Sequence, residues 1–260
     1  MQAATVTVLG LGEAGSVIAR DLVAAGAHVR GFDPVQPAPE GIEAAPDASA
    51  AAASADVVLS INSASVALEA AETVAPVLAR DTLFADLNTS APALKRAVAE
   101  AVGEWGVRFA DVALLRGVSG LGVGTPALVS GTGAAAFAAT FRSFGMPVTE
   151  VGSEAGAAAA RKLARSVFMK GLAAALAEAL AAGRRLGCEE WLRADIESTL
   201  VDADARLFDR LVEGSRTHAV RRVEEMSAAV AMLGELEVEP RIAGASEAWL
   251  RSLAASEVSR

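Results

Sequence analysis

A glycine-rich segment near the start of the chain has the residue types and spacing of a phosphate-binding turn. Residues 10–15 read Gly-Leu-Gly-Glu-Ala-Gly, between an apolar run at Thr5–Leu9 and a helical pattern at Glu13–Ala25. In such a turn the first glycine permits the tight bend, the second lets a pyrophosphate approach the backbone, and the third lets the helix pack on the strand. Free N–H groups and the helix dipole attract phosphate there. We therefore expect a dinucleotide-binding turn formed by Gly10, Leu11, Gly12, Glu13, Ala14 and Gly15. A tight turn without a ligand is the alternative.

An acidic residue follows at the distance that this turn requires. Asp33 ends a second predicted strand, Ala27–Phe32, and lies 18 residues beyond Gly15. An acid roughly 20 residues after the glycines binds the ribose hydroxyls of NAD in this arrangement. Its charge would repel the 2′-phosphate of NADP, which favours NAD. Arg30 lies close enough in sequence to hold such a phosphate, so both NAD and NADP stay open.

Polar side chains follow the third and fourth predicted strands. Asn62 and Ser63 come after Asp56–Ile61, and Asn88 and Thr89 come after Thr82–Leu87. In a doubly wound sheet these strand ends face the same crevice as the glycine turn, so contacts to the nicotinamide side of the cofactor are expected. The same residue types cap helices, and this second interpretation applies equally to Ser63 or Ser65 and to Asn88 or Thr89.

Lysines on one helical stripe are candidates for proton transfer. Lys162, Ser166 and Lys170 are spaced i, i+4 and i+8, which places them on one face of a helix. Burial in a cleft and neighbouring cations would lower a lysine pKa toward the working range, so that it exchanges a proton with a substrate hydroxyl or carbonyl. The chain has no tyrosine, which excludes a tyrosine-based donor. We predict Lys162 as general acid/base with Lys170 as a second catalytic candidate; two solvated surface lysines are the alternative.

The elements that would position these residues form an α/β pattern followed by helices only. Further strands are predicted at Val107–Ala113, Pro126–Ser130 and Pro147–Val151, with a helix at Ala134–Phe144. Strands that alternate with helices predict a mainly parallel sheet covered on both faces. One helix of roughly 50 Å follows from Glu154 to about Leu186. We predict a dinucleotide-binding domain at 1–152 and an all-helical domain at 153–260, whose turn signals are Gly214, Gly234 and Glu239-Pro240.

Composition excludes several classes of function. The 260 residues include 32 acids and 23 bases, a net charge of −9, which argues against a nucleic-acid partner. Two histidines and one cysteine do not supply an obvious zinc site, and no Walker A, H-E-x-x-H or G-x-S-x-G pattern occurs. A lone cysteine, no signal-peptide pattern and alanine runs broken by charges predict a soluble, cytoplasmic protein without a membrane span.

The residues 10–22, GLGEAGSVIARDL, resemble the β-hydroxyacid dehydrogenase family, which includes 3-hydroxyisobutyrate and 6-phosphogluconate dehydrogenases. NTSAP at 88–92 is similar to that family's S-T-x-x-P segment, with Asn88 in place of its serine, and the resemblance covers most of the first 185 residues. It implies a Rossmann-like doubly wound sheet, a long interdomain helix and an all-α C-terminal domain used for dimerisation. A homodimer with substrate clefts completed across the interface is therefore expected.

The resemblance also assigns the catalytic helix. The family pattern G-x-G-x-x-x-K-x-x-N-N lies over Gly156–Ser166 and puts Lys162 in the place of the catalytic lysine. Ala158 replaces the second glycine, and Arg165 and Ser166 replace the two asparagines. Ser166 is therefore a candidate for substrate binding with an altered contact.

The substrate segment departs from the family. Its pattern D-A-P-V-S-G-G falls on Asp111–Gly117, which keeps the aspartate and the last glycine but loses the serine and one glycine, so a different substrate is expected. Arg116 has the geometry to pair with a carboxylate or phosphate, or it is a surface arginine. The loop that follows is flexible and rich in backbone N–H groups, which makes Ser119 and Gly120 candidates for substrate binding.

The segment 217–226 resembles a poorly characterised branch of the family that has its own helical C-terminal domain. His218 and Arg222 lie one helical turn apart and are candidates for a proton donor and an anion clamp; ion pairs of the arginines with Glu224 and Glu225 within the helix are the alternative.

Together these patterns predict an NAD(P)-dependent oxidoreductase that transfers hydride between nicotinamide and a small, anionic hydroxy acid. The alternatives are an imine reductase, against which the retained Lys162 argues, and a dinucleotide-binding sensor or scaffold that has lost turnover.

Overall fold

The computed structural model describes residues 4–258. The chain divides by its packing into two compact units between Arg165 and Ser166. The sequence predicts a domain boundary near Gly152, where the alternation of strands and helices ends. That domain boundary stays a prediction.

The first unit is built on one eight-stranded sheet. Its strands, in chain order, are β1 (Thr5–Leu9), β2 (His28–Phe32), β3 (Glu43–Ala44), β4 (Val57–Ser60), β5 (Leu83–Asp86), β6 (Arg108–Leu114), β7 (Ala127–Ser130) and β8 (Val148–Glu150). The order across the sheet is β3-β2-β1-β4-β5-β6-β7-β8, and every neighbouring pair is parallel except β6 with β7. The predicted doubly wound α/β sheet is therefore confirmed. The two-residue edge strand β3 was not predicted, because so short a run carries no periodic signal.

Helices cover both faces of this sheet. They are α1 (Glu13–Ala24), α2 (Ala48–Ala52), α3 (Ala67–Val74), α4 (Pro92–Gly103) and α5 (Ala134–Ser143). One apolar cluster joins the sheet to α1 and α5, and a second joins the opposite face to α2, α3 and α4. Burial on both faces explains why the strands read as nearly continuous apolar runs rather than as an alternation.

The path of the chain through the sheet creates a crevice at the carboxyl ends of the strands. The chain runs outward from β1 to β3 and then returns to β4 on the other side of β1. The segments that leave β1 and β4 therefore separate toward opposite faces of the sheet. The two strands are adjacent up to this point, where the Ile61 N–H donates to the Leu9 carbonyl oxygen at 2.7 Å. Ligands of doubly wound sheets bind at this reversal of strand order.

A 30-residue helix, α6 (Ala157–Leu186), follows the sheet, as predicted. Gly187, with φ +71, ends it in the left-handed conformation that favours glycine. By length and composition α6 can cross a membrane, since an 18-residue stretch has a mean hydropathy of 1.3. The expectation that no segment reaches such a composition was wrong for this helix. One helix of this kind is weak evidence for a membrane, because helices of soluble proteins satisfy the same criterion.

Up to residue 258, the second unit consists of the remainder of α6 and four further helices. They are α7 (Glu189–Val201), α8 (Ala205–Thr217), α9 (Ala219–Glu235) and α10 (Arg241–Val258). The Glu178 carboxylate accepts hydrogen bonds from the Ile242 and Ala243 N–H groups at 2.8 Å each, which caps the N-terminus of α10. Pro240 stands before α10 as predicted.

Two predicted turns in this unit were wrong. Gly214 lies inside α8, and Gly234 lies in the last turn of α9. A single glycine lowers the stability of a helix by only about 1 kcal/mol, which tertiary packing outweighs. The α8 to α9 junction instead occurs at His218.

Candidate active site

The predicted glycine turn lies at the reversal of strand order, between β1 and α1. A Cβ atom on Gly10, whose φ is +99, would lie 2.4 Å from the Ile61 carbonyl oxygen, and one on Gly15 would lie 1.9 Å from the Gly10 oxygen. These two positions therefore require glycine to form the turn and to pack the helix. At Gly12, by contrast, a Cβ would meet no atom within 4 Å. Gly12 is also the N-cap of α1 and has no side chain to accept the first-turn N–H groups. Open space beside unpaired donors fits the pyrophosphate of a dinucleotide.

An acidic cavity of about 590 Å³ opens on one side of this turn. We call it the acidic cavity because Asp33, Asp47 and Glu69 are among the residues that line it. Its described lining residues include no lysine or arginine. A cavity of this size at the ends of β1, β2 and β4 suits the adenosine part of a dinucleotide.

Asp33 is held in place by the backbone around it. Its carboxylate accepts N–H bonds from Leu11 at 2.8 Å, Val35 at 2.8 Å and Gln36 at 2.9 Å. Burial acts to raise the pKa of Asp33, but these three donors outweigh it, and the pKa lies below its ordinary value of 3.8. A carboxylate has about four acceptor positions, so one remains for a ribose hydroxyl.

Arg30 is not placed to offset this acidity. Its guanidinium donates to the Ala53 carbonyl oxygen at 2.7 Å, and Arg30 is not among the residues that line the acidic cavity. The Arg30 side chain is thus engaged with the residue that follows α2, and the alternative in which it holds a 2′-phosphate stays a prediction.

A second cavity, of about 480 Å³, lies on the other side of the glycine turn, and we call it the lysine cavity. It shares with the acidic cavity Gly12, Ile61, Asn62 and Ser63, so the two form one continuous crevice along the sheet edge. It brings together nine of the residues that the sequence singled out: Gly12, Glu13, Ala14, Asn62, Ser63, Asn88, Thr89, Arg116 and Lys162.

Lys162 and Thr89 meet in the lysine cavity. Lys162 lies in the second turn of α6 and is half-buried, and its Nζ donates to Thr89 Oγ1 at 2.7 Å. Arg116 lines the same cavity with an exposed side chain. On the helix stripe, Ser166 is half-buried and Lys170 is exposed; both belong to the second unit.

Asn88 forms the floor of the lysine cavity through a polar network. Its Nδ2 lies 3.1 Å from Ser60 Oγ, 2.8 Å from Asn62 Oδ1 and 2.7 Å from Asp86 Oδ1. The helix-capping alternative for these segments is wrong, because Val66 is the N-cap of α3 and Ala91 is the N-cap of α4. Asn62, Ser63, Asn88 and Thr89 therefore line the crevice without capping either helix.

Some predicted contact residues lie outside the two cavities. Leu11 is buried in the core, and only its N–H reaches the site, through Asp33. Ser119 and Gly120 are exposed and do not line the lysine cavity, whereas Gly117 and Val118 do. The loop therefore lines the cavity only with its first residues, of which Val118 is buried.

In the second unit, His218 is the N-cap of α9 and its carbonyl accepts the Arg222 N–H, so the predicted one-turn spacing is present. The Arg222 guanidinium donates to Ser215 Oγ. Arg221 forms an i,i+4 ion pair with Glu225 at 3.4 Å, which is the intrahelical pairing that the sequence left as an alternative. Roles of His218 and Arg222 in a substrate site stay predictions.

Within residues 4–258 no group of three His, Cys, Asp or Glu side chains is placed to hold a metal ion.

Sequence reasoning missed a buried charged group below the lysine cavity. Lys95 on α4 is 1% exposed and contacts Asp86 and Asp111, both 0% exposed. Lys95, Val98 and Val102 share one helical face by their spacing and all are buried. That spacing was a signal for a buried lysine, but its partners come from other strands and become visible only in the folded chain.

Family models match two parts of the chain. The NAD binding domain of 6-phosphogluconate dehydrogenase matches residues 5–152, and a domain of unknown function, DUF1932, matches residues 184–253. The first match covers the sheet and the residues that line the crevice, except Lys162.

Curated relatives agree with this match. The NAD-dependent L-serine dehydrogenase of Pseudomonas aeruginosa is 30% identical over 203 residues, which are 74% of this chain and 68% of that enzyme. The 3-hydroxyisobutyrate dehydrogenase of the same organism is 30% identical over 197 residues, 71% of this chain and 65% of that enzyme.

A solved structure is similar over nearly the whole chain. A variant of the imine reductase from Myxococcus stipitatus in complex with NAD+ has a TM-score of 0.84 and 22% sequence identity, covering 98% of this chain and 95% of that one. At this identity the likeness shows the fold alone. With the matched NAD binding domain, the two dehydrogenases and the glycine turn at the strand reversal, the chain belongs to the β-hydroxyacid dehydrogenase family of NAD(P)-dependent oxidoreductases.

Proposed function

We propose that this protein is a dehydrogenase that transfers hydride between NAD and a small hydroxy acid bearing a negative charge, with Lys162 as general acid/base. The observation that carries the proposal is the Lys162 Nζ to Thr89 Oγ1 contact of 2.7 Å inside the lysine cavity, which continues into the crevice beside Gly12. When bound, NAD supplies the nicotinamide carbon that accepts or donates hydride.

The residues around the lysine cavity transfer the proton and bind the substrate. In the oxidation direction Lys162 takes the proton from the substrate hydroxyl, and in the reduction direction it returns that proton to the carbonyl oxygen. Thr89 holds the lysine amine at a defined point. Arg116 binds the substrate carboxylate, because a guanidinium pairs with a carboxylate through two parallel hydrogen bonds.

The acidic cavity supports a preference for NAD. Asp33, Asp47 and Glu69 present three carboxylates, and the described lining of this cavity contains no lysine or arginine to offset them. A 2′-phosphate placed there would meet like charges in a partly enclosed site.

The reaction is tested by substrates whose charge is varied. We expect L-serine, 3-hydroxyisobutyrate or another short hydroxy acid to yield NADH absorbance with the purified protein. The matching carboxamides, which lack the charge that Arg116 recognises, are expected to react at least about tenfold more slowly, the effect of roughly one charged hydrogen bond. NAD binding without turnover on any hydroxy acid would indicate the sensor or scaffold instead.

Imine reduction is the second candidate, because the fold of the imine reductase extends over the same length of chain. Lys162 in the place of the family's catalytic lysine favours the hydroxy acid reaction. Turnover of a cyclic imine, with none of any hydroxy acid, would reverse this preference.

The surface of the second unit supports a homodimer. Its described residues include large apolar side chains that are mostly exposed, among them Val167, Phe168, Trp191, Val201, Phe208, Leu211, Val220 and Trp249. Soluble monomers rarely expose so many, and a second copy of the chain would bury them. We expect sedimentation equilibrium at micromolar concentration to give twice the mass of 26.3 kDa. A monomer under these conditions contradicts the proposal.

Location in the cytoplasm stays a prediction.

A further inference from the structure

We propose that Lys95 is a positioning residue, whose buried ammonium group joins the two segments that hold Lys162 against Thr89. The inference rests on the proposed function, since Lys162 is the group that is positioned. Lys95 itself lies in α4 and does not line the lysine cavity.

The contacts of Lys95 join two neighbouring strands. Its Nζ donates to the Asp86 carbonyl oxygen at 2.7 Å and lies 3.1 Å from Asp86 Oδ2 and 3.5 Å from Asp111 Oδ1. Asp86 at the end of β5 and Asp111 in β6 are register partners, so the ammonium group bridges adjacent carboxylates. These two facing oxygens have no hydrogen bond within the described residues, which leaves the Lys95 charge to offset theirs.

Asp111 carries the connection to the helix of Lys162. Its Oδ2 accepts the N–H of Gly156 at 3.1 Å and that of Ala159 at 3.0 Å. Ser130 Oγ donates to the same oxygen at 3.1 Å and accepts the Ala158 N–H at 3.0 Å. The start of α6 is therefore fixed to the sheet one turn before Lys162.

Asp86 carries the connection to Thr89. Its Oδ1 accepts the Asn88 backbone N–H at 2.9 Å and the Asn88 Nδ2 at 2.7 Å. Asn88 precedes Thr89, whose hydroxyl accepts the hydrogen bond from Lys162. The two partners of the catalytic contact are thus each tied to one aspartate, and Lys95 joins the aspartates.

Close packing between α4 and the start of α6 restrains the position of Lys162 relative to Lys95. Gly156, with φ +92, lies so close to α4 that a Cβ would stand 2.8 Å from the Pro92 carbonyl oxygen. Pro92 begins the helix that carries Lys95. The start of α6 therefore packs closely against the start of the helix that carries Lys95.

A buried ion cluster is not required for stability alone. Apolar residues that replace a complete buried ion pair often leave stability unchanged or raise it. Here the charges instead satisfy N–H donors of α6 and of the 88–89 segment, which an apolar cluster would not do. This favours a role in geometry.

The chain contains only three lysines, Lys95, Lys162 and Lys170, and because Lys95 is buried, acylation of the folded protein reports on Lys162 and Lys170. We would treat the 260-residue chain with limiting acetic anhydride and measure by peptide mass spectrometry the acylation of Lys162 relative to exposed Lys170. Lys95→Met is expected to raise this ratio about tenfold, the effect of releasing one charged hydrogen bond at Lys162. Ser130→Ala, which loosens the Asp111 connection without removing a charge, is expected to raise it less.

Val98→Ala is the matched control, since Val98 is a buried residue of the same helix whose apolar side chain forms no hydrogen bond or ion pair with the aspartates. It is expected to lower Tm and leave the ratio unchanged. An unchanged ratio in folded Lys95→Met, or an equal rise in Val98→Ala, overturns the inference. If Lys95→Met does not fold, Ser130→Ala decides: a raised ratio supports the inference and an unchanged one overturns it. If Lys162→Ala leaves turnover unchanged, the proposed function fails. The acylation ratio of Lys162 to Lys170 then still reports how Lys162 is held, so the two failures are distinguishable.

Discussion

Lys162→Ala is expected to lower kcat by a factor of about 10² to 10⁴ on whichever hydroxy acid the protein oxidises, the usual contribution of a positioned acid/base. The affinity for NAD is expected to stay unchanged, because Lys162 lines the lysine cavity and not the acidic cavity. The measurement is steady-state turnover together with NADH binding followed by fluorescence.

Arg161→Ala is the matched control for this prediction. It removes a cation from the adjacent position of α6, where Arg161 donates to the Val151 and Ala157 carbonyl oxygens and does not line the lysine cavity. Lys170→Ala, made in parallel, separates the two candidate lysines. Loss of activity with Lys170→Ala and none with Lys162→Ala would transfer the acid/base role and overturn the proposal.

Asp33→Asn is expected to weaken the preference for NAD over NADP. The substitution retains an oxygen to accept the Leu11 N–H and removes one of three carboxylates beside the expected position of the 2′-hydroxyl. Relief of charge repulsion by roughly 1–2 kcal/mol corresponds to a rise of about tenfold in the kcat/KM ratio of NADP to NAD. Glu40→Gln is the control, because Glu40 is an exposed acid of the following loop that does not line the acidic cavity.

The pH dependence of this preference follows from the pKa of Asp33. Burial raises that pKa, but the N–H donors Gln36, Val35 and Leu11 outweigh burial, so the folded value lies below 3.8. The carboxylate contributes its charge above its folded pKa and loses it as the pH falls through that value. Between about pH 6 and pH 9 the charge is constant. The 2′-phosphate of NADP, whose second pKa is about 6, is fully charged above about pH 7.5. A preference for NADP in the unaltered protein, or a preference that changes between about pH 7.5 and pH 9, would contradict the role given to Asp33.

Local patterns were sufficient for the architecture of the first unit. The glycine turn was found because Gly10 and Gly15 need backbone freedom and close approach, which no other residue type provides. Strands buried on both faces were found because they need unbroken apolar runs. Lys162 was predicted from its spacing with Ser166 and Lys170 and from the family pattern on the same helix, and Asp33 from its distance of 18 residues to Gly15. Spacing over such short ranges is preserved in the folded chain.

The remaining features depend on residues far apart in sequence. Lys95 reads as one polar residue on an apolar helix face until β5 and β6 bring Asp86 and Asp111 to it, and nothing local predicts a contact across that separation. The direction of Arg30 toward Ala53 depended on the register of β2. Capping by Ser63 or Thr89 was excluded only by where α3 and α4 begin. Residue type and spacing thus determined the fold class, the dinucleotide turn and the candidate lysine, whereas the tertiary structure decided which charges meet, because burial and strand register are properties of the assembled sheet.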